Sequence, residues 1–310
     1  MVQNLPGKKA YKSLFKILHS TESYRQHAQK AFKEKINFIL FALIAFLAVI
    51  AVFLLLAILV RGGIGVISLE FLTAMPVSRM TEGGIFSAIV GTFYLSLLTL
   101  LFSLPLGIGA AIYLHEWAGR GVFVRLIRLS IRNLAGVPSI VYGLFGLGVF
   151  AAFIGLGTSL LTASLTLALM SLPIVITASE EALKAVPQEF REAAIALGAT
   201  RWETIRYQVL PYALPGIATG SILSLSRAAG ETAPIILTGA AYYLPFLPQG
   251  VFDRFMALPY HLYILSTQHS ELALVRPLAY GTALVLIAIV LSVNGAAIYI
   301  RYRSRKNKQW

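Results

Sequence analysis

The sequence predicts an all-α polytopic membrane protein with six transmembrane helices and both termini in the cytoplasm. Three observations carry that expectation. The 310 residues are 57% hydrophobic and only 13% charged, about half the charged share of an ordinary soluble domain, and the mean hydropathy is +0.76. The charges cluster and leave six apolar runs, 36–60, 85–114, 137–156, 159–178, 210–238 and 277–300, each near the ~20 residues that a bilayer core requires. Lys and Arg are distributed unevenly among the connecting segments. Eight precede the first run, four lie between the second and third, four between the fourth and fifth, and five follow the sixth. The opposite side holds Arg61, Arg79, Arg254 and Arg276. That bias places both ends of the chain inside.

Residues 1–35 form a basic cytoplasmic segment, 36–300 the transmembrane domain and 301–310 a basic tail. A full-length span follows the basic segment directly, so it does not read as a cleavable signal peptide. The second and fifth runs are long and contain Gly and Pro, which predicts tilt, kinks or extension beyond the lipid. The net charge of +13 fits anionic headgroups beside topology-setting residues, and no nucleic-acid partner is expected. Without cysteine there is no disulfide framework or thiolate metal site. No internal repeat at a period of 20–50 residues is visible.

Between the fourth and fifth runs lies a charged stretch that writes helix, turn, helix. Pro187 suits a first helical turn. Gln188–Leu197 follows, with Phe190, Ala193, Ala194 and Leu197 at three- and four-residue spacing. Gly198 supplies a C-terminal stop, and Thr200 with Glu203 forms a capping box that opens a second helix. Small residues at Ala193, Ala194 and Gly198 would admit a partner's backbone, with Glu189, Arg191, Glu192 and Arg201 as rim charges. The bland alternative is a solvated connector.

The fifth run contains two charges, Arg227 and Glu231. A central Arg in lipid costs ~2.5–3.5 kcal/mol or more, so such a residue faces a cavity or pairs. Gly220, Ser224, Arg227 and Glu231 recur at helical spacing, with Thr219 and Thr232 beside them. Gly230 and Pro234 weaken the helix there. The pair either tolerates burial structurally, or Arg227 presents its guanidinium fork to a tetrahedral oxyanion while Glu231 holds or competes for it. At the end of the second run, His115, Glu116 and Trp117 are adjacent and do not share a helix face, so they suggest an interface anchor rather than a metal site. His261 and His269 have no companions that would make one. Tyr242, Tyr243, Phe246 and Tyr260 mark an aromatic outer segment, either an interfacial belt or a docking surface.

The run Glu192-Ala-Ala, Gly198 and Leu210-Pro211 resembles the EAA loop of permease subunits in ATP-driven (ABC) importers, with Gln208 where an Ile is usual and Val209 beside it. Ser226-Arg-Ala-Ala-Gly-Glu-Thr-Ala-Pro234 and Ala135-Gly-Val-Pro-Ser-Ile-Val-Tyr-Gly-Leu-Phe-Gly-Leu147 are similar to the A-type permease subunit of the phosphate-specific ABC importer. So are Gly83-Gly-Ile, the segment 88–94 and Ala257-Leu-Pro-Tyr-His-Leu-Tyr263. The resemblance spans about residues 83–300. It implies a type I ABC importer permease fold, not an enzyme, in the bacterial inner membrane. It implies an EAA coupling loop near 179–209, with Glu189, Glu192, Ala193, Ala194 and Gly198 meeting the ATPase. Arg227 and Glu231 would line the phosphate path, with Ser224, Thr232, Ser139 and Tyr142 beside them. Pro138 reads as a helix-entry residue. Implied partners are a second, C-type permease, two ATP-binding subunits, an extracytoplasmic phosphate-binding protein and membrane lipid. The chain has no Gly-x-x-x-x-Gly-Lys-Ser/Thr loop, so no cofactor is expected here, and ATP and Mg belong on the partner. A permease for another oxyanion or small solute, or an ion-coupled secondary transporter, are the competing expectations.

Overall fold

The computed structural model describes residues 7–119 and 121–306; Arg120 and the last residues of the basic tail lie outside them. The chain divides into two units, residues 1–58 and 59–310. Helix α1, Gly7–Gly63, supplies the described part of the first unit and runs through position 35 without a break. Its apolar side chains from Ile36 to Ile58 are mostly exposed. A helix apolar all round is built for contact with lipid or with another membrane helix.

The second unit is mainly helical, and its described residues include one antiparallel pair of two-residue strands, β1 (Pro76–Val77) and β2 (Glu82–Gly83). Its helices are α2 (Leu69–Thr73), α3 (Phe86–Ile112), α4 (Val122–Leu134), α5 (Ser139–Gly146), α6 (Leu160–Lys184), α7 (Gln188–Ala196), α8 (Arg201–Thr204), α9 (Leu210–Gly230), α10 (Ala233–Thr238), α11 (Leu258–Thr267) and α12 (Leu272–Lys306). Wider π-helical turns extend α3 over Tyr113–Trp117 and α5 over Leu147–Phe153, and join α8 to α9 over Ile205–Val209.

Five described helical segments are long and apolar enough to cross a membrane: 34–63, 86–117, 160–184, 201–230 and 272–296. The third expected span, 137–156, differs. Its position is taken by α5 and the π-helical turn, which follow α4 across a 103° bend. Residues 139–153 rise only about 22 Å, short of the ~30 Å hydrocarbon core, and α4, bent 103° from them, is long and apolar enough for a crossing only jointly with them. The bend has a local cause, because Pro138 restricts Val137 to extended backbone and becomes the N-cap of α5. Helix α4 lies against the core through Val124, Ile127 and Ile131. Arg128 secures it, donating to the Leu114 carbonyl at 2.5 Å and pairing with Glu180 at 3.0 Å.

The fifth expected span, 210–238, is also not one helix. α9 ends at Gly230, Glu231 turns to extended backbone, and α10 restarts at Ala233 with Pro234 in its first turn. Pro234 has no N–H to continue the ladder, which is why the break falls here.

Helix α6 is the centre of the unit, packed by α3 and α9, and α12 lies against α9. Ser159 caps it, accepting from the Thr162 N–H at 3.2 Å. Ser164, Thr166 and Thr177 return their hydroxyls to carbonyls four residues back, so these polar side chains are satisfied within the helix. Helix association in lipid depends on close packing, and the crossings use glycine. A β-carbon on Gly107 of α3 would lie 2.6 Å from Val175, and one on Gly220 of α9 would lie 2.2 Å from the Ala178 methyl. Gly216, one turn earlier, meets Ala182 in the same way.

Gly220→Val is expected to destabilise the protein by about 1–3 kcal/mol through overpacking. Thermal unfolding of the detergent-purified chain, compared with an exposed Gly109→Ala control, measures it.

Candidate functional site

The inner face is organised by the hairpin α7–α8. Ala185-Val186-Pro187 leaves α6 and Pro187 becomes the N-cap of α7. Gly198 makes the turn at φ +88°, a left-handed conformation natural to glycine. The expected capping box is present. The Thr200 N–H and hydroxyl donate to Glu203 Oε2 at 2.8 and 2.7 Å, and the Glu203 N–H donates back to Thr200 Oγ1 at 3.3 Å. The second helix of the hairpin continues through the π-helical turn into α9. That turn adds a residue to the register, so Gln208 is exposed and Val209 is fully buried. Val209 thus supplies the apolar anchor beside Leu210-Pro211.

The faces of α7 are not those the spacing suggested. Glu189, Glu192, Ala193 and Gly198 are exposed, and Leu197 is 90% exposed. The inward face consists of Phe190, which stacks on Tyr212 at 4.9 Å, with Arg191 and Ala194. Ala194 is small because it packs inward, which removes it from the surface open to a partner. Arg191 is not a rim charge; it is only 8% exposed. Its guanidinium donates to the carbonyls of Val186 at 2.7 Å and Leu183 at 3.0 Å, and from Nε and Nη2 to Glu116 Oε1 at 3.3 and 3.0 Å. The Leu183 carbonyl, which also accepts the Val186 N–H at 3.3 Å, is in the last turn of α6, and Val186 lies just beyond it; a cation there also complements the helix dipole. Arg201 donates to the Glu116 carbonyl and lies over the Trp117 ring, 5.1 Å from its centroid. Glu116, read from sequence as part of an interface anchor, is the acceptor for the hairpin. Adjacency in sequence gave no sign of it, since its partner is 75 residues away.

The second centre is at the end of α9. Arg227 Nε lies 3.4 Å from Glu231 Oε1, and the Arg227 side chain is 51% exposed. Among the described residues its Nη atoms make no hydrogen bond. Since α9 stops at Gly230, Glu231 reaches back from just beyond the helix rather than from a shared helical face. Tyr142 is near enough for the Arg227 charge to act on it, but the phenol is buried and donates to the Leu134 carbonyl at 2.8 Å. Ser139 and Thr232 are half-buried. Ser224 is 3% exposed and so is not on the open surface with Arg227. On the other side of α9, Ser226 donates to Asn294 Oδ1 of α12 at 2.6 Å, a contact the sequence reading missed; a serine and an asparagine facing one another between two apolar helices were its only signal.

On the outer side, Tyr243 donates to the Pro76 carbonyl, while Tyr242 and Phe246 are exposed. His269 accepts from the Glu271 N–H at Nδ1, so Nε2 carries the proton and donates to the Arg79 carbonyl at 2.9 Å. That bond holds the turn Ser78–Met80, whose three residues all have positive φ. His261 of α11 is buried with Nδ1 unpartnered. No group of three or more His, Asp or Glu among the described residues could hold a metal ion.

A broken, glycine-packed helical bundle with a helix–turn–helix handle on its inner side defines a multi-pass membrane permease of the ABC importer class. Residues 103–306 match the family described as binding-protein-dependent transport system inner membrane component, and the chain belongs to that family. It is 31% identical over 257 residues to the probable ABC transporter permease protein YqgI of Bacillus subtilis, covering 79% of this chain and 87% of that one. It is 38% identical over 229 residues to the phosphate transport system permease protein PstA 1 of Mycobacterium tuberculosis, covering 73% and 72%. Among solved structures it resembles a bacterial alginate ABC transporter in complex with an alginate pentasaccharide-bound periplasmic protein, with TM-score 0.60, 18% identity and coverage of 88% and 96%. It also resembles the inward-facing MetNI methionine ABC transporter, with TM-score 0.56, 18% identity and coverage of 71% and 97%. The members of this family are transport subunits of the inner membrane and not enzymes in themselves.

Burial pushes the His261 imidazole down to about 4, with the neighbouring His269 adding to the effect. The folded state therefore binds this proton less readily than the unfolded chain. Stability is full above the ordinary histidine value near 6.5 and is lost as pH falls toward 4, by about 3 kcal/mol at pH 4. His261→Phe should flatten the melting temperature between pH 7 and 4.5; an unchanged slope would refute the assignment.

Proposed function

We propose that the chain is the A-type permease of a phosphate importer. It moves inorganic phosphate inward by alternating access while a separate subunit hydrolyses ATP. Arg227 carries the reading. Its guanidinium is tethered at Nε and open at Nη, and two parallel N–H groups on a rigid plane match two oxygens of a tetrahedral oxyanion. A neighbouring carboxylate repels that anion and competes for the same cation. Such competition keeps each dwell short, as conduction requires. Kinship with phosphate permeases over nearly three quarters of the chain supports the same substrate.

Of the two ATP-binding subunits of the importer, one docks on the exposed surface formed by Glu189, Glu192, Ala193, Leu197 and Gly198, with ATP and Mg on those subunits. A C-type permease completes the membrane unit, and a phosphate-binding protein docks outside, where Tyr242 and Phe246 are exposed. Residues 1–35 are the cytoplasmic segment, 36–300 the permease domain with its coupling loop near 179–209, and 301–310 the tail.

Arg227→Gln removes one charge-assisted contact, worth ~1.5–3 kcal/mol, and should lower phosphate uptake by reconstituted complex roughly 10- to 100-fold. Arg227→Lys should retain part of it. Uptake equal to wild type would overturn the role of Arg227, and uptake of sulfate in place of phosphate would overturn the substrate.

A further inference from the structure

We propose that Glu116 and Arg191 are positioning residues that carry the movement of the hairpin into α3. This rests on the reading of the hairpin as the ATPase docking element. The hairpin is covalently continuous with α6 on one side and α9 on the other. It has no such link to α3, whose π-helical end it meets through side chains. Arg191 binds the Glu116 carboxylate while holding the Leu183 and Val186 carbonyls. One guanidinium therefore joins the ends of two spans and the root of the hairpin. Arg201 adds a bond to the Glu116 backbone, and the His115 ring lies 3.8 Å from the same carboxylate.

Both partners of the ion pair have side chains only 10% exposed, so water does not compete for them, and removing either leaves the other charged and uncompensated. Glu189 and Glu192 are exposed and suited to touching a partner, but they hold nothing behind them. Helices α3 and α6 are already pressed together where Gly107 meets Val175. With Glu116 engaged, a tilt of α7 draws both ends together. With Glu116 neutral, α7 loses its charged link to α3, and only the Arg201 contacts to the Glu116 backbone and the Trp117 ring still join the hairpin to it.

The test uses the complete importer purified from membranes with its ATPase subunit and reconstituted. Three quantities are read: ATPase retention, ATP hydrolysis, and inorganic phosphate imported per ATP hydrolysed. Glu116→Gln should keep the ATPase bound and hydrolysing while phosphate per ATP falls by roughly an order of magnitude. Glu116→Asp should recover most of the ratio. Arg191→Gln added to Glu116→Gln should lower it no further. An unchanged ratio in Glu116→Gln overturns the inference, as does loss of the ATPase from that variant, which would give Glu116 a role in assembly. In both cases the docking reading stands, provided the wild-type complex retains its ATPase. A wild-type complex that holds no ATPase removes the docking reading and this inference together.

Discussion

Arg191 is the charge on which the inner face depends. It is almost fully enclosed, which is costly for a guanidinium unless each donor finds an acceptor. The acceptors are the Leu183 carbonyl in the last turn of α6, the Val186 carbonyl just beyond it and one carboxylate at the end of α3. Helix ends that would otherwise need water can close against protein, and the hairpin leaves α6 at a fixed angle. The position of α7, the exposure of Glu189 and Glu192, and the burial of Phe190 against Tyr212 all follow from that angle.

Above this root the bundle is held by contact rather than charge. In lipid there is little hydrophobic gain from bringing helices together. The close approaches at Gly107, Gly216 and Gly220 therefore supply dispersion that bulkier residues would forfeit. The hydroxyls of Ser164, Thr166 and Thr177 fold back onto carbonyls of α6, so the central helix carries these polar side chains without demanding partners from its neighbours. A charge pair stands at the end of α9, where the helix stops and Arg227 is half exposed.

Much of this architecture was legible in the sequence. Apolar run length gave the long spans, and Thr200 with Glu203, Gly198 and Pro187 gave the hairpin, because capping and turn chemistry act over four residues and need no tertiary knowledge. The failures share a cause. Spacing arranges residues around a helix but does not say which side meets the core. On α7 the carbonyls of α6 made Arg191 face inward, displacing Leu197 to the surface. The same limit hid Glu116 as an acceptor and Asn294 as the partner of Ser226. On the fifth run, periodicity carried the helical face through Glu231 although Pro234 had already marked the interruption. The bent α4–α5 pair was read as a loop and a span because hydropathy measures length along the chain, not its direction.

The π-helical turn at Ile205–Val209 has a bearing on the whole of α9. It lies on the only continuous backbone rod running from the handle to Arg227 among the described residues. A widened turn contains a surplus residue, and residues on a helix are separated by about 100° of rotation. Expelling that surplus would spin everything beyond it by about one such step, carrying the guanidinium from the open side of α9 to a packed one. Axial strain delivered at the handle could thus emerge at the other end as torsion.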